Sequence, residues 1–248
     1  MILTYTDFGF AGPYIGEMES VLRRDAPETP IVHLMADAPA FRPGAAGRLL
    51  AALARRFAAG DVCLAVVDPG VGGPRRPAVM CADGVWFVGP DNGLLVPVAE
   101  RAKEAEWWEI TASPKELSRS FHGRDLFAPF AAALARGERP TGIGARPLFD
   151  PVTADAPHGD PQGNQQIIYI DGYGNAVTGI EAGDLATDAT LSVDGRGIER
   201  AATFCRVAPG TLFWYENSMG LVEIAANRDN AARLLALDIG TQVTVENP

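Results

Sequence analysis

The sequence predicts an α/β protein in two parts: an N-terminal domain over 1–150 built on a parallel sheet, a linker at 151–164, and a smaller β domain over 165–248. Three observations carry that prediction. The first half alternates short apolar strands with amphipathic helices, the pattern of right-handed βαβ crossovers. From Gly137 to Asn164 periodicity gives way to Pro, Gly and Asp, as at a domain boundary. The remainder breaks into short β-like runs separated by Gly, Asn and Asp turns, the spacing of a small antiparallel barrel or sandwich.

Ile2 to Thr6 reads as a strand, and Tyr14, Ile15, Met18, Val21 and Leu22 then recur at helical spacing, with Arg23 and Arg24 in the last turn. Pro30 to Met35 is a second strand, and Arg42 to Ala59 is a helix burying Leu49, Leu50, Leu53 and Phe57. Leu64 to Val67 is an all-apolar third strand that stops at Asp68 and empties into the turn PGVGGPRR. Ala78–Cys81 and Val85–Val88 flank Ala82-Asp83-Gly84 as a hairpin, GPDNGLL is a further turn, and Trp107 to Ile110 is a strand. After Phe121-His122-Gly123-Arg124-Asp125 a helix runs to about Arg136, with Phe127, Phe130, Ala131 and Leu134 inward. The second domain offers strands in QIIYID, NAVTGI, ATLSVDG, RAATFCRV, TLFWYE and TQVTVEN, and a helix from Asn227 to Leu237.

Composition removes several classes of function. With 248 residues the chain buries enough surface to fold without disulfide or metal. Its 21 basic and 31 acidic residues give a formal charge of -10, which argues against nucleic acid as a partner. Cys63, Cys81 and Cys205 are scattered, as expected of reduced core thiols in a cytoplasmic protein. Met1 leads straight into ILTYT with neither a basic n-region nor an apolar run of about 18 residues, so neither secretion nor a membrane span is expected. Lys103 and Lys115 follow no glycine, which rules out a Gly-Lys-Ser/Thr phosphate loop. His33, His122 and His158 are the whole histidine supply, and no metal site of ordinary spacing is expected. His33, inside a strand, is expected to pack in the core, and His158, in the inter-domain stretch, to be solvated.

Candidate chemistry gathers at strand ends. Asp68 stands where an open parallel sheet places its site, and the Gly/Pro turn brings Arg75 or Arg76 back toward it. Such a pair serves either catalysis or a structural ion pair capping the loop. Asp7 ends the first strand on the same rim, where it is either a site carboxylate or an Asx-turn residue. His122 opens a helix beside Arg124 and Asp125.

The series TDFG at Thr6, VDPGVGG with Arg75, GPDNG at Gly89, FHGRDLFAP at Phe121, DGYGN at Asp171 and NSMGLVEIA at Asn217 resembles the S-adenosyl-L-methionine hydroxide adenosyltransferase family, related to enzymes that make 5'-halo-adenosines. The match runs in order along nearly the whole chain. It implies an N-terminal α/β domain, a C-terminal β-barrel, a homotrimer with sites between subunits, and hydrolysis of S-adenosyl-L-methionine to adenosine and methionine without any cofactor. It puts the catalytic trio on Asp68, Arg75 and His122, the ribose hydroxyls on Asp7, adenine on Tyr173 and Asn175, and the methionine carboxylate near Ser218.

Two alternatives accompany it. A halogenating relative would carry Tyr and Thr where this chain has Asp68 and Val71, and a hydroxyl near Gly123. A non-catalytic adenosine or S-adenosyl-L-methionine binding protein on the same scaffold would have no need of all three members of the trio. Tyr173 to Asn175 also reads as a plain hairpin turn, and Ser218 as a loop residue. The family commonly shows Asp-Ile/Leu-Ser/Thr-His near the end of the second strand, where this chain has His33, Leu34, Met35 and Ala36.

Overall fold

The computed structural model describes residues 1–112, 114–138, 143–147 and 164–246, and the chain divides into two units, Met1–His158 and Gly159–Pro248. The expected linker at 151–164 lies, apart from Asn164, outside the described residues, as does His158.

The first unit is α/β. Its strands are β1 (Ile2–Thr6), β2 (Ile31–Met35), β3 (Val62–Val66), β4 (Pro77–Ala82), β5 (Val85–Pro90), β6 (Ala105–Ile110) and β7 (Ile143–Pro147), in the sheet order β2-β1-β3-β5-β4-β6-β7. The first four of that order run parallel, β4 lies antiparallel between β5 and β6, and β7 is antiparallel to β6, so the expected parallel sheet is a mixed one. Alternation along β3 shows why it is apolar throughout: Val62, Leu64 and Val66 enter the core under α1 (Tyr14–Asp25) and α4 (Ala128–Ala135). Cys63, Ala65 and Val67 enter the opposite core, under α2 (Pro43–Ala54) and α3 (Val96–Arg101). A Cβ on Gly89 would lie 2.1 Å from the Ala65 carbonyl oxygen, so the close approach of β5 to β3 requires glycine.

Several expectations for this unit change. β7 lies inside the stretch whose composition marked it as inter-domain; an edge strand is held by backbone pairing to β6, which leaves no apolar period in the sequence. Helix α2 stops at Ala54 rather than Ala59, because residues 55–60 turn to stack Phe57 on Phe87 at 6.2 Å. His33 is not a core residue: its side chain keeps 24% exposure, with Nδ1 2.8 Å from Thr4 Oγ1 and Nε2 3.0 Å from Glu19 Oε2.

The second unit contains antiparallel sheets. β12 (Leu212–Glu216), β13 (Leu221–Ala226), β9 (Ala176–Glu181) and β8 (Ile167–Ile170) form one, in that order; β11 (Arg196–Ile198), β10 (Thr190–Val193) and β14 (Thr244–Glu246) form the other. Their apolar faces share one core that includes Ile167, Leu191, Trp214, Val222 and Ile224. The expected strand RAATFCRV is absent, because Phe204–Arg206 makes a 3-10 turn that sets the Phe204 ring edge-on against Phe213 (5.1 Å) and Tyr215 (5.3 Å). That turn leaves Cys205 exposed, against the expectation of a core thiol. The helix expected over Asn227–Leu237 shrinks to α5 (Ala231–Leu235), since Arg228 takes φ 59° and Asn230 caps with its side chain accepting from Arg233 N–H at 2.7 Å.

Candidate active site

In the first unit the end of β3 and the loop after it form the centre. Arg75 folds back on Asp68 as the turn requires: its Nε donates to Oδ1 (3.1 Å) and Oδ2 (3.0 Å), and Nη2 to Oδ2 (2.5 Å). Both side chains are nearly closed to solvent, at 9% and 5% exposure. Arg76 goes elsewhere, to Asp91. Gly72 makes the fold-back feasible, with φ 76° and no room for a side chain, since its Cβ would lie 2.4 Å from the Arg119 carbonyl oxygen.

The same guanidinium reaches His122, whose Nδ1 lies 2.8 Å from Nη2. Guanidinium nitrogens only donate, so Nδ1 accepts and the ring is neutral with its proton on Nε2. Burial, then the positive charge of Arg75, keeps the imidazole pKa below its ordinary 6.5, while Asp68 and Asp125 pull weakly the other way. His122 caps a π-helical turn, Gly123–Phe127, and Phe127 lies under Arg75 at 5.4 Å.

Asp7 follows β1, the parallel neighbour of β3, and so stands on the rim occupied by Asp68. Its Oδ2 accepts from Phe41 N–H at 3.4 Å. Burial raises its pKa, and the charge of Asp68 adds to that rise. Asp7, Asp68, Arg75 and His122 are therefore brought to one rim of the sheet.

The other candidates meet in the second unit. Tyr173, Asn175 and Ser218 line one cleft of about 1020 Å³, together with Tyr215, Asn217 and Glu223. The DGYGN stretch is a turn, with Asp171 Oδ1 accepting from the N–H groups of Tyr173 and Asn175, each at 2.9 Å. The turn leaves Tyr173 82% exposed, and the Asn175 amide nitrogen donates to Asp171 Oδ2 at 3.0 Å. With its nitrogen so engaged, Asn175 offers Oδ1 as an acceptor.

Some supporting residues escaped the sequence reading. GPDNG grips both ends of the loop that bears Asp68 and Arg75: Asn92 Nδ2 donates to Val67 O at 2.9 Å, and Asp91 N–H to Arg76 O at 2.8 Å. Under Ser218, Glu223 is a buried carboxylate accepting from Tyr215 Oη (2.7 Å) and Asn217 Nδ2 (2.9 Å). Burial raises the pKa of Glu223 and that of Tyr215. Asn217 Oδ1 then accepts from Met219 N–H (2.9 Å) and Leu221 N–H (3.1 Å), which fixes the turn bearing Ser218. A lone Glu amid the apolar run LVEIAA was the available signal. Among the described residues no group of three or more His, Cys, Asp or Glu is placed to hold a metal.

A carboxylate, a guanidinium and a neutral imidazole are joined in one hydrogen-bonded chain at the carboxyl rim of parallel strands, the place where open α/β sheets carry their sites. The chain belongs to the SAM hydroxide adenosyltransferase family, whose N-terminal domain profile matches residues 2–144 and whose C-terminal domain profile matches residues 165–244. It is 35% identical over 256 residues to the (R)-S-adenosyl-L-methionine hydrolase of Thermus thermophilus, covering 96% of each chain. To the Salinispora arenicola protein of the same name it is 34% identical over 255 residues, covering 97% of this chain and 95% of that one. A solved structure of an uncharacterized conserved protein from Thermotoga maritima matches with TM-score 0.86 at 31% identity over 100% of both chains.

Proposed function

We propose that this protein hydrolyses S-adenosyl-L-methionine to adenosine and L-methionine, taking the (R) sulfonium epimer. The observation that carries this reading is the Arg75 bridge between Asp68 and His122, in a chain whose full-length relatives bear that activity in their names. A positively charged sulfonium leaves as a neutral thioether, so no acid is needed at sulfur. What remains is to aim a water at C5' of the ribose.

His122, holding its proton on Nε2, donates to that water and orients it. Asp68 Oδ1, which accepts one bond from Arg75 and keeps a lone pair, takes the proton as the O–C5' bond forms and the C5'–S pair returns to sulfur. Positioned proton acceptance of this kind contributes about 10²–10⁴-fold. Arg75 pairs with the Asp68 carboxylate and fixes both partners. Asp7 holds the ribose hydroxyls, the Tyr173 ring covers adenine, Asn175 Oδ1 accepts from the adenine amino group, and Ser218 binds the methionine carboxylate. No cofactor is called for.

The remaining architecture completes the proposal. The protein acts in the cytoplasm as a homotrimer, the second unit of one subunit serving the first unit of a neighbour. That second unit is a β-barrel, a reading supported by isolated bridges between Gln166 and Gln242 and between Arg200 and Trp214 at the edges of its sheets. Incubation with each sulfonium epimer, followed by chromatography, tests the activity. Equal release of adenosine and methionine from the (R) epimer is expected, and no release from either epimer refutes it. Light scattering at assay concentration is expected to give a trimer, and a fully active monomer contradicts the shared site.

A further inference from the structure

We infer that Arg124, gripped by Glu17 and Asp125, is a positioning residue for His122; the inference rests on the reading of Asp68, Arg75 and His122 as the water-orienting trio. The π turn after His122 has two inward contacts with one guanidinium: His122 Nδ1 at Arg75 Nη2, and the Phe127 ring beneath it. Rotation of that turn by a fraction of an ångström would disturb both.

On the outside it is clamped. Arg124 Nε and Nη2 donate to the two oxygens of Asp125 (2.6 and 3.0 Å), and Nη1 donates to Glu17 Oε2 on α1 (2.5 Å). The guanidinium carbon lies 5.1 Å from the centre of the Phe121 ring. Asp125 Oδ2 also accepts from Ser118 N–H at 2.9 Å. Phe121 in turn meets Phe8 (5.8 Å) and Tyr14 (5.5 Å) edge-on, and Phe8 directly follows Asp7. Residues on both sides of His122 are thus tied to α1 and to the strand end that bears Asp7.

A surface ion pair offers a plainer account. Arg124 and Glu17 retain 33% and 41% exposure, and pairs so exposed add little to stability. Such a pair would therefore change neither folding nor turnover much when broken. A clamp that sets the direction of the His122 ring predicts otherwise, because misplacement of a reacting group by about 1 Å costs as much as about 10²-fold in rate.

Arg124→Gln keeps the polarity and much of the length while removing the fork and charge. In the otherwise native protein it is expected to lower kcat for S-adenosyl-L-methionine by about 10-fold or more, with KM within about 3-fold. In the His122→Ala background the same change is expected to alter kcat by less than about 2-fold, since no ring remains to be positioned. Glu17→Gln, which releases only the α1 end of the clamp, is expected to show the same pattern at smaller size, and it decides the matter if Arg124→Gln does not fold. An equal fractional loss in both backgrounds, or no loss in kcat, overturns the inference while leaving the trio intact. Unimpaired turnover in His122→Ala itself overturns the trio as well.

Discussion

Replacing Asp68 by Asn removes a charge from a place that cannot easily do without it. Arg75 gives three hydrogen bonds to the Asp68 carboxylate, and the two side chains are only 9% and 5% exposed. An amide offers one oxygen and turns an NH2 toward the guanidinium, so the bidentate grip is lost and the Arg75 charge is left without its counter-ion. Breaking a buried pair by removing one partner costs about 3–5 kcal/mol, and the retained amide oxygen puts Asp68→Asn near the lower end, about 3 kcal/mol. The catalytic loss is separate. Proton acceptance disappears and the partner of His122 loosens, so turnover is expected to fall by about 10²-fold or more. Chromatographic release of adenosine at saturating substrate measures turnover, thermal melting confirms that the protein is folded, and titration with adenosine is expected to stay within about several-fold of native. Turnover within about 3-fold of native, in folded protein, would remove Asp68 from the centre of the account.

Three further outcomes follow from the same geometry. Asp7→Ala should weaken adenosine binding by about 1–3 kcal/mol, the usual cost of stranding buried donors, and an unchanged isothermal titration would take Asp7 off the ribose. The pKa of His122 lies below 6.5, so activity should persist as pH falls through 6.5 and fade only lower, as protonation breaks the Arg75 contact. The unfolded chain takes up that proton first, so the stability linked to His122 is complete above 6.5 and declines as pH falls below it; an acid limb lying above 6.5 contradicts the assigned tautomer. Gly72→Ala should depress kcat through displacement of Arg75, because φ 76° and the 2.4 Å approach to Arg119 O leave no room for a methyl; native kcat would show that the loop is not held as described.

What the sequence disclosed depended on whether a residue's neighbours were local. Strands β1 to β3 and helices α1 and α4 were legible because each carries its own apolar period, as β3 does in sending alternate residues to opposite cores, whereas β7 and the short α3 carry none long enough to read. Arg75 meeting Asp68 was legible too, since only a Gly/Pro turn separates them. Choosing Arg75 over Arg76 was not possible from spacing, because the choice is made by Asp91, which arrives from β5. Phe204 illustrates the opposite failure: its segment has a strand-like composition, yet packing against Phe213 and Tyr215 favours a tight turn. Strand β13 went unread although it is interior to its sheet, because Glu223 interrupts its apolar run and only the partners Tyr215 and Asn217 make that carboxylate tolerable.

The central claim is that solvent water, aimed by Asp68, Arg75 and His122, attacks C5' of the ribose. Reaction in oxygen-18 water with high chloride present, followed by mass spectrometry of the nucleoside product, tests it most directly. The account predicts adenosine carrying the label at its 5'-hydroxyl and no halogenated nucleoside; unlabelled adenosine, or 5'-chloro-adenosine, would contradict it.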